Sequence, residues 1–146
     1  MRLSIAAALL LLAIPAQAQT RDWQLVGGNT QIRTYIDTGS IVRSGDTAAA
    51  SELSAFHQPI SGVYAFELHI VYDCKAPRFR ERDGIYYSAT GQVTGTDPGA
   101  EPEKYYDTHP NSIDDAGRLY ACFGEHGVAK IADPFADAAR EFDWNP

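Results

Sequence analysis

Val63-Tyr64-Ala65-Phe66-Glu67-Leu68-His69-Ile70-Val71-Tyr72-Asp73-Cys74 decides the fold. A strand turns successive side chains to opposite faces. Tyr64, Phe66, Leu68, Ile70, Tyr72 and Cys74 therefore share one side, and Val63, Ala65, Glu67, His69, Val71 and Asp73 the other. The first set is nearly all apolar and ends in a cysteine, which predicts a core-facing side. The second is mixed and predicts a face open to water, as is common in antiparallel sheets.

Downstream, Lys75-Ala76-Pro77 reads as a tight turn and residues 78–88 as a further strand. Asp83-Gly84 inside it admits two readings, a type I′ hairpin turn or a bulge within one long strand, and the bulge is favoured. A continuous strand paired with residues 63–74 would set Arg78, Arg80 and Arg82 along one face beside Glu67 and Asp73. Val93-Thr94 adds a short strand. Residues 95–104 hold two prolines and no apolar period, which predicts a surface loop.

Upstream, residues 21–26 form a strand candidate with Trp23 and Leu25 on one side, followed by a Gly27-Gly28-Asn29 turn. Residues 31–37 alternate Ile32, Thr34 and Ile36 against Arg33, Tyr35 and Asp37. Ser44-Gly45-Asp46 should join residues 41–43 to residues 47–56 as a hairpin. The second arm is Ala-rich and intrinsically weak as a strand, so its neighbours must hold it.

Residues 111–123 are the first helix candidate. Ser112 can cap it with Asp115 three residues on. Ile113, Ala116, Tyr120 and Phe123 should line its apolar face, with Cys122 in the last turn. Gly117 costs that helix about 1 kcal/mol relative to Ala. Residues 124–131 carry no clear pattern. Asp133-Pro134 is a good start for a short amphipathic helix through Phe135, Ala138, Ala139 and Phe142.

The N-terminus has a different purpose. One basic residue, Arg2, precedes an apolar run from Ile5 to Ile14, and Ala16-Gln17-Ala18 follows Pro15. These are the parts of a secretory signal peptide over residues 1–18, with a run too short to span a bilayer. Cleavage after Ala18 would leave Gln19 first, with no Cys there to take a lipid anchor. Both cysteines, Cys74 and Cys122, lie in the exported part. An even count in an oxidising compartment predicts one disulfide between them, which would pin the residue 111–123 helix onto the sheet face carrying Tyr72.

The chain has 146 residues, 12 Lys+Arg against 19 Asp+Glu, and a formal charge of −7. That length suits one domain. The acidity argues against nucleic acid, because a phosphate-binding face needs surplus Lys and Arg. After the leader, no stretch is apolar enough to span a membrane. No phosphate-binding loop, nucleophile elbow, zinc-protease helix or calcium loop is present. His57, His69, His109 and His126 are widely separated, and His69 reads as an exposed strand residue. These features predict no catalytic residue, no metal and no cofactor. The Arg78, Arg80 and Arg82 row and the Tyr86-Tyr87 and Tyr105-Tyr106 pairs attract more interest, since Arg and Tyr dominate protein interfaces. Arg78, Arg80, Arg82 and Tyr86 are the candidate binding face.

Trp23-Gln24-Leu25-Val26, Tyr35-Ile36-Asp37, Ser40-Ile41-Val42-Arg43-Ser44-Gly45, Val71-Tyr72-Asp73-Cys74, Arg78-Phe79-Arg80, Tyr86-Tyr87-Ser88, Gly91 and a closing helix with Cys122 occur in an order that resembles the surface-adhesin protein E-like family of exported bacterial proteins. The resemblance covers about residues 23–122. It implies an antiparallel sheet, a C-terminal helix fastened to it by Cys74 and Cys122, and a continuous strand through Asp83-Gly84. It also implies a protein partner, with host extracellular-matrix proteins and a second copy of the chain as candidates. The matched residues look like fold determinants, so no binding residue is carried over.

The expected architecture is α+β: a single antiparallel sheet of about five or six strands, one face covered by the disulfide-tethered helix. Residues 19–123 form the adhesin-like domain and residues 124–146 a C-terminal extension. The expected function is that of a non-enzymatic adhesin-like binding protein, periplasmic or at the cell surface. The alternative is a soluble periplasmic protein with a structural or envelope-associated role.

Overall fold

The computed structural model describes residues 21–99 and 104–144, so the expected leader lies outside the described residues. Nine described strands form one sheet: β1 (Trp23–Gly28), β2 (Ile32–Asp37), β3 (Val42–Ser44), β4 (Thr47–Ile60), β5 (Val63–Asp73), β6 (Arg78–Tyr87), β7 (Val93–Asp97), β8 (Tyr105–Asp107) and β9 (Ala129–Ile131). They run in the order β7-β6-β5-β4-β2-β1-β9, with β3 on β4 and β8 on β6. Every pairing is antiparallel. The described residues also form two helices, α1 (Ile113–Phe123) and α2 (Pro134–Phe142).

The sheet is thus larger than the five or six strands expected. The surplus lies in short pieces that carry too few residues to show a period, such as β8 and β9 with three residues each. β9 belongs to the patternless 124–131 stretch and pairs with the free edge of β1. β7 runs on to Asp97, into the stretch expected to be loop.

Both faces of the sheet are covered, which corrects the expectation of one solvated face. On the cysteine-bearing side of β5, Ile70 and Tyr72 pack with Ile36, Ala48, Phe79, Ala121 and Cys122 under α1. On the other side, Leu25, Tyr35, Leu53, Ala65 and Tyr87 pack with Ala138, Phe142 and Trp144 from α2 and the residues after it. Glu67, expected to face water, is 1% exposed. A buried carboxylate persists only when its oxygens are satisfied. Here Arg21 Nη1 donates to both Glu67 oxygens at 2.6 Å and the Tyr87 hydroxyl donates at 2.8 Å.

The weak, Ala-rich β4 lies in the middle of the sheet, between β2 and β5. Ala48, Ala50 and Ala55 are buried, and their small side chains let helices approach from both sides. Helix α1 begins as expected, with the Ser112 side chain accepting from the Asp115 N–H. Asp115 does not complete a reciprocal cap, because Thr108 and Arg118 donate to its carboxylate instead. Gly117, Ala121 and Cys122 form the buried face of α1, whereas Phe123 is 53% exposed, contrary to its expected place in the apolar stripe. Gly124, in the left-handed region at φ 76°, ends the helix and donates to Tyr120 O.

Cys74 and Cys122 are joined in a disulfide across a sequence separation of 48, with Cα atoms 5.6 Å apart. That spacing is ordinary for a bridge. Arg43 Nε adds a second tether at the same end by donating to the Ala121 carbonyl at 2.7 Å. Helix α1 is therefore tied to the sheet at its C-terminal end.

Candidate functional site

Strand β6 presents different chemistry on its two sides. Arg78 and Arg80 stand opposite Asp73 and Val71 of β5, and opposite Asp107 and Tyr105 of β8. Residues opposite one another share a face, so these two arginines and Tyr105 come together. The guanidinium carbon of Arg78 lies 4.5 Å from the Tyr105 ring centroid and that of Arg80 5.9 Å, within cation–π range. Arg78 Nη2 also meets Asp73 at 2.9 Å, which fixes its direction. Tyr105 itself is 47% exposed.

Arg82 leaves this row. Leu68 pairs with Gly84 and Ile70 with Glu81, so Arg82 and Asp83 both oppose His69. This is a bulge inside a continuous strand, the favoured of the two readings. His69 Nδ1 meets Asp83 Oδ2 across it at 2.8 Å. Arg82 instead borders a hollow with Leu68, Glu81, Asp97 and Tyr106 on the α1 side. Tyr86 opposes Phe66 on that same side and donates to Asp97 at 2.8 Å. Of the four residues proposed from sequence, the structure brings Arg78 and Arg80 together and sets Arg82 and Tyr86 apart from them. Glu67 does not flank the row, because Arg21 and Tyr87 hold it elsewhere.

The second surface is a cleft of about 440 Å³ between the N-terminal end of α1 and the sheet. Phe66, Leu68 and Ile70 of β5, Phe79 of β6, Ile32 of β2 and Ile113 of α1 supply apolar walls. Glu52, Glu81 and Asp114 supply three carboxyl groups, with the Thr34 and Ser54 hydroxyls, 2.9 Å apart, beside them. Glu52 comes from the centre of β4 and is 6% exposed. The Tyr72 hydroxyl donates to its Oε2. Burial pushes the Glu52 carboxyl up to about 8, against the opposing pull of the Tyr72 bond, with Asp114 and Glu81 adding like-charge repulsion. Glu81 and Asp114 are also raised by burial, Glu81 further by Asp114 and Asp97.

Gly117 is what lets α1 sit over this pair. A Cβ there would stand 2.5 Å from Glu52 Oε2 and 2.7 Å from the Tyr72 hydroxyl oxygen, closer than atoms pack. The residue that weakens the helix in isolation is therefore required by its close approach to the sheet. Nothing in the local sequence marked Glu52; a carboxylate in an Ala- and Ser-rich strand is visible as a site only when β5, β6 and α1 converge on it.

Among the described residues, no group of three His, Cys, Asp or Glu side chains is arranged to hold a metal ion. No described helix is long and apolar enough to cross a membrane. The family model described as surface-adhesin protein E matches residues 23–123. The chain belongs to the surface-adhesin protein E family. No curated protein matches it. The part of this surface-adhesin E protein that matches runs from β1 to the end of α1, so it contains the disulfide, the Arg78/Arg80/Tyr105 surface and the cleft. Strand β9 and helix α2, which close the second core, lie beyond it. Membership in this adhesin family points to a non-enzymatic role, to export or the cell surface, and to a protein partner.

Proposed function

We propose that this surface-adhesin E protein is an exported, non-enzymatic binding protein that engages a protein partner, a host extracellular-matrix protein being the candidate, through the face where Arg78 and Arg80 flank Tyr105. The observation that carries this reading is the pair of guanidinium groups over a half-exposed tyrosine ring. Arg and Tyr are the side chains that make interface anchors, combining a flat contact area with directed hydrogen bonds. Asp73 holds Arg78 in place, and guanidinium N–H groups not spent on that pair are left to donate to acceptors on a partner. Arg82 and Tyr86 belong to this proposal only as a second, separate contact on the α1 side.

Purified protein tested against immobilised laminin and vitronectin by surface plasmon resonance should bind, and should do so more weakly at high salt. Arg78→Glu should reduce affinity by at least about tenfold, the scale of one lost interface anchor, while circular dichroism shows the sheet intact. Arg82→Glu should have a smaller effect. Absence of binding to any matrix protein, with the protein found only in the periplasmic fraction, would favour the structural, envelope-associated role instead.

A further inference from the structure

The cleft beneath the N-terminal end of α1 has a chemistry that the arginine face does not share. Its volume of about 440 Å³ falls within the range of small-ligand sites, roughly 300–1,000 Å³. No Lys, Arg or His is among the described residues that line it. Glu52, more than nine-tenths buried, uses Oε2 to accept from Tyr72. Its Oε1 makes no hydrogen bond to any described residue and keeps access to the cleft. One polar oxygen at the floor of an apolar-walled recess is thus left for something that enters. The three carboxyl groups do not converge as a cage for a bare metal ion, and the walls formed by Phe66 and Phe79 ask for an organic stem.

We propose that the cleft seats the side chain of a Lys or Arg residue from a peptide or protein ligand, its aliphatic stem against Phe66, Leu68 and Phe79 and its cationic head at Glu52, Glu81 and Asp114. Long basic side chains carry both halves of this requirement, an apolar stem and a charged tip. Because the cleft and the Arg78/Arg80 surface lie on opposite faces of the sheet, this seat does not depend on the arginine reading, and the two can fail separately.

Proton release accompanies the seating. Burial raises the Glu52 carboxyl to about 8, which favours its protonated form at neutral pH before a ligand binds, while the Tyr72 hydroxyl donates to Oε2. A cation arriving beside it favours the carboxylate. The carboxyl O–H bond breaks with its electron pair left on the carboxylate, the proton passes to solvent, and the Tyr72 hydroxyl continues to donate to Oε2. The groups that face Glu52 are Tyr72 from β5, Glu81 from β6 and Asp114 from α1. His109 acts on Asp114, and Asp97 acts on Glu81. A ligand cation offsets the mutual repulsion of the three carboxyl groups.

The test is an NMR titration of the purified protein with acetylated, amidated glycine pentapeptides carrying a central lysine, arginine or norleucine. The lysine and arginine peptides should shift the amide signals of residues around Phe66, Phe79 and Asp114, and the norleucine peptide should not. Affinity should rise by about tenfold between pH 6.0 and 8.5, as expected if binding draws on the Glu52 carboxylate, and should become nearly independent of pH in Glu52→Gln. Asp114→Asn, at the rim and remote from the core, should weaken lysine binding without affecting the fold. Equal binding of norleucine and lysine, shifts confined to surfaces outside the cleft, or a pH rise that survives in Glu52→Gln would each overturn the proposal.

Discussion

Removing the disulfide with Cys74→Ala and Cys122→Ala together should lower the free energy of unfolding by about 3–4 kcal/mol, measured by urea denaturation of the oxidised wild type and the double variant. The bridge closes a segment of 48 residues, and the chain-entropy treatment of a loop this long gives about 4 kcal/mol. The same bridge joins the end of β5 to the last turn of α1, so its loss removes the covalent tie between that turn and the sheet. Arg43 still donates to the Ala121 and Cys122 carbonyls, and α1 should fray rather than detach in the folded variant. The urea slope should also rise, because the uncrosslinked denatured chain exposes more surface. A loss below about 1 kcal/mol would mean that α1 is held by packing alone and that the bridge adds little.

Asp137→Ala should be comparably damaging, by about 3–5 kcal/mol, the cost of leaving a buried charge without its partner. Asp137 lies inside α2 and is 5% exposed. Its Oδ2 accepts from Arg33 Nε at 3.0 Å, from Arg33 Nη2 at 2.7 Å and from the Tyr35 hydroxyl at 2.9 Å, and its Oδ1 accepts from Arg140. Arg33 and Tyr35 come from β2, so this one carboxylate fastens α2 to the sheet. Alanine there orphans the Arg33 guanidinium, whose side chain is only 16% exposed, and the Tyr35 hydroxyl within the core. The effect should be readable in tryptophan fluorescence during urea unfolding, because Trp144 and Trp23 share the same packed cluster and Trp144 Nε1 donates to the Phe56 carbonyl. Replacing the network as a unit, Arg33→Met and Asp137→Leu together with Tyr35→Phe, should recover most of the loss, since neither a buried charge nor the Tyr35 hydroxyl is then left without a partner. If Asp137→Ala alone costs no more than a surface substitution, α2 is not anchored through this network.

Sequence patterning resolved the elements that carry enough residues to repeat. Ile70, Tyr72 and Cys74 alternate over a long strand and do face the α1 core; Ser112 and Asp133 cap their helices as their types suggest. The disulfide was accessible from two cysteines alone. Alternation fails at Glu67, a charged residue that the pattern places toward water and the fold buries. What buries it is Arg21 and Tyr87, partners 46 and 20 residues away that no local window contains. Strand β9 escaped for another reason, since a three-residue strand is made by the free edge of β1 and not by its own composition.

The candidate site divided in the same way. Asp83-Gly84 marked the bulge, but its consequence, that Arg82 leaves the row of Arg78 and Arg80, follows only from the register against β5. Tyr105 joined the arginines through β8, a pairing invisible before folding. The Glu52 cleft left no trace in sequence, because its walls come from four strands and a helix whose arrangement depends on Gly117 allowing close approach.

A binding role toward an outside partner requires that the protein reach the cell surface, where Arg78, Arg80 and Tyr105 can meet one. Antibody raised against the purified protein and applied to intact and then permeabilised cells measures this directly. Labelling of intact cells at a level close to that after permeabilisation is the predicted result; labelling that appears only once the envelope is opened would contradict it.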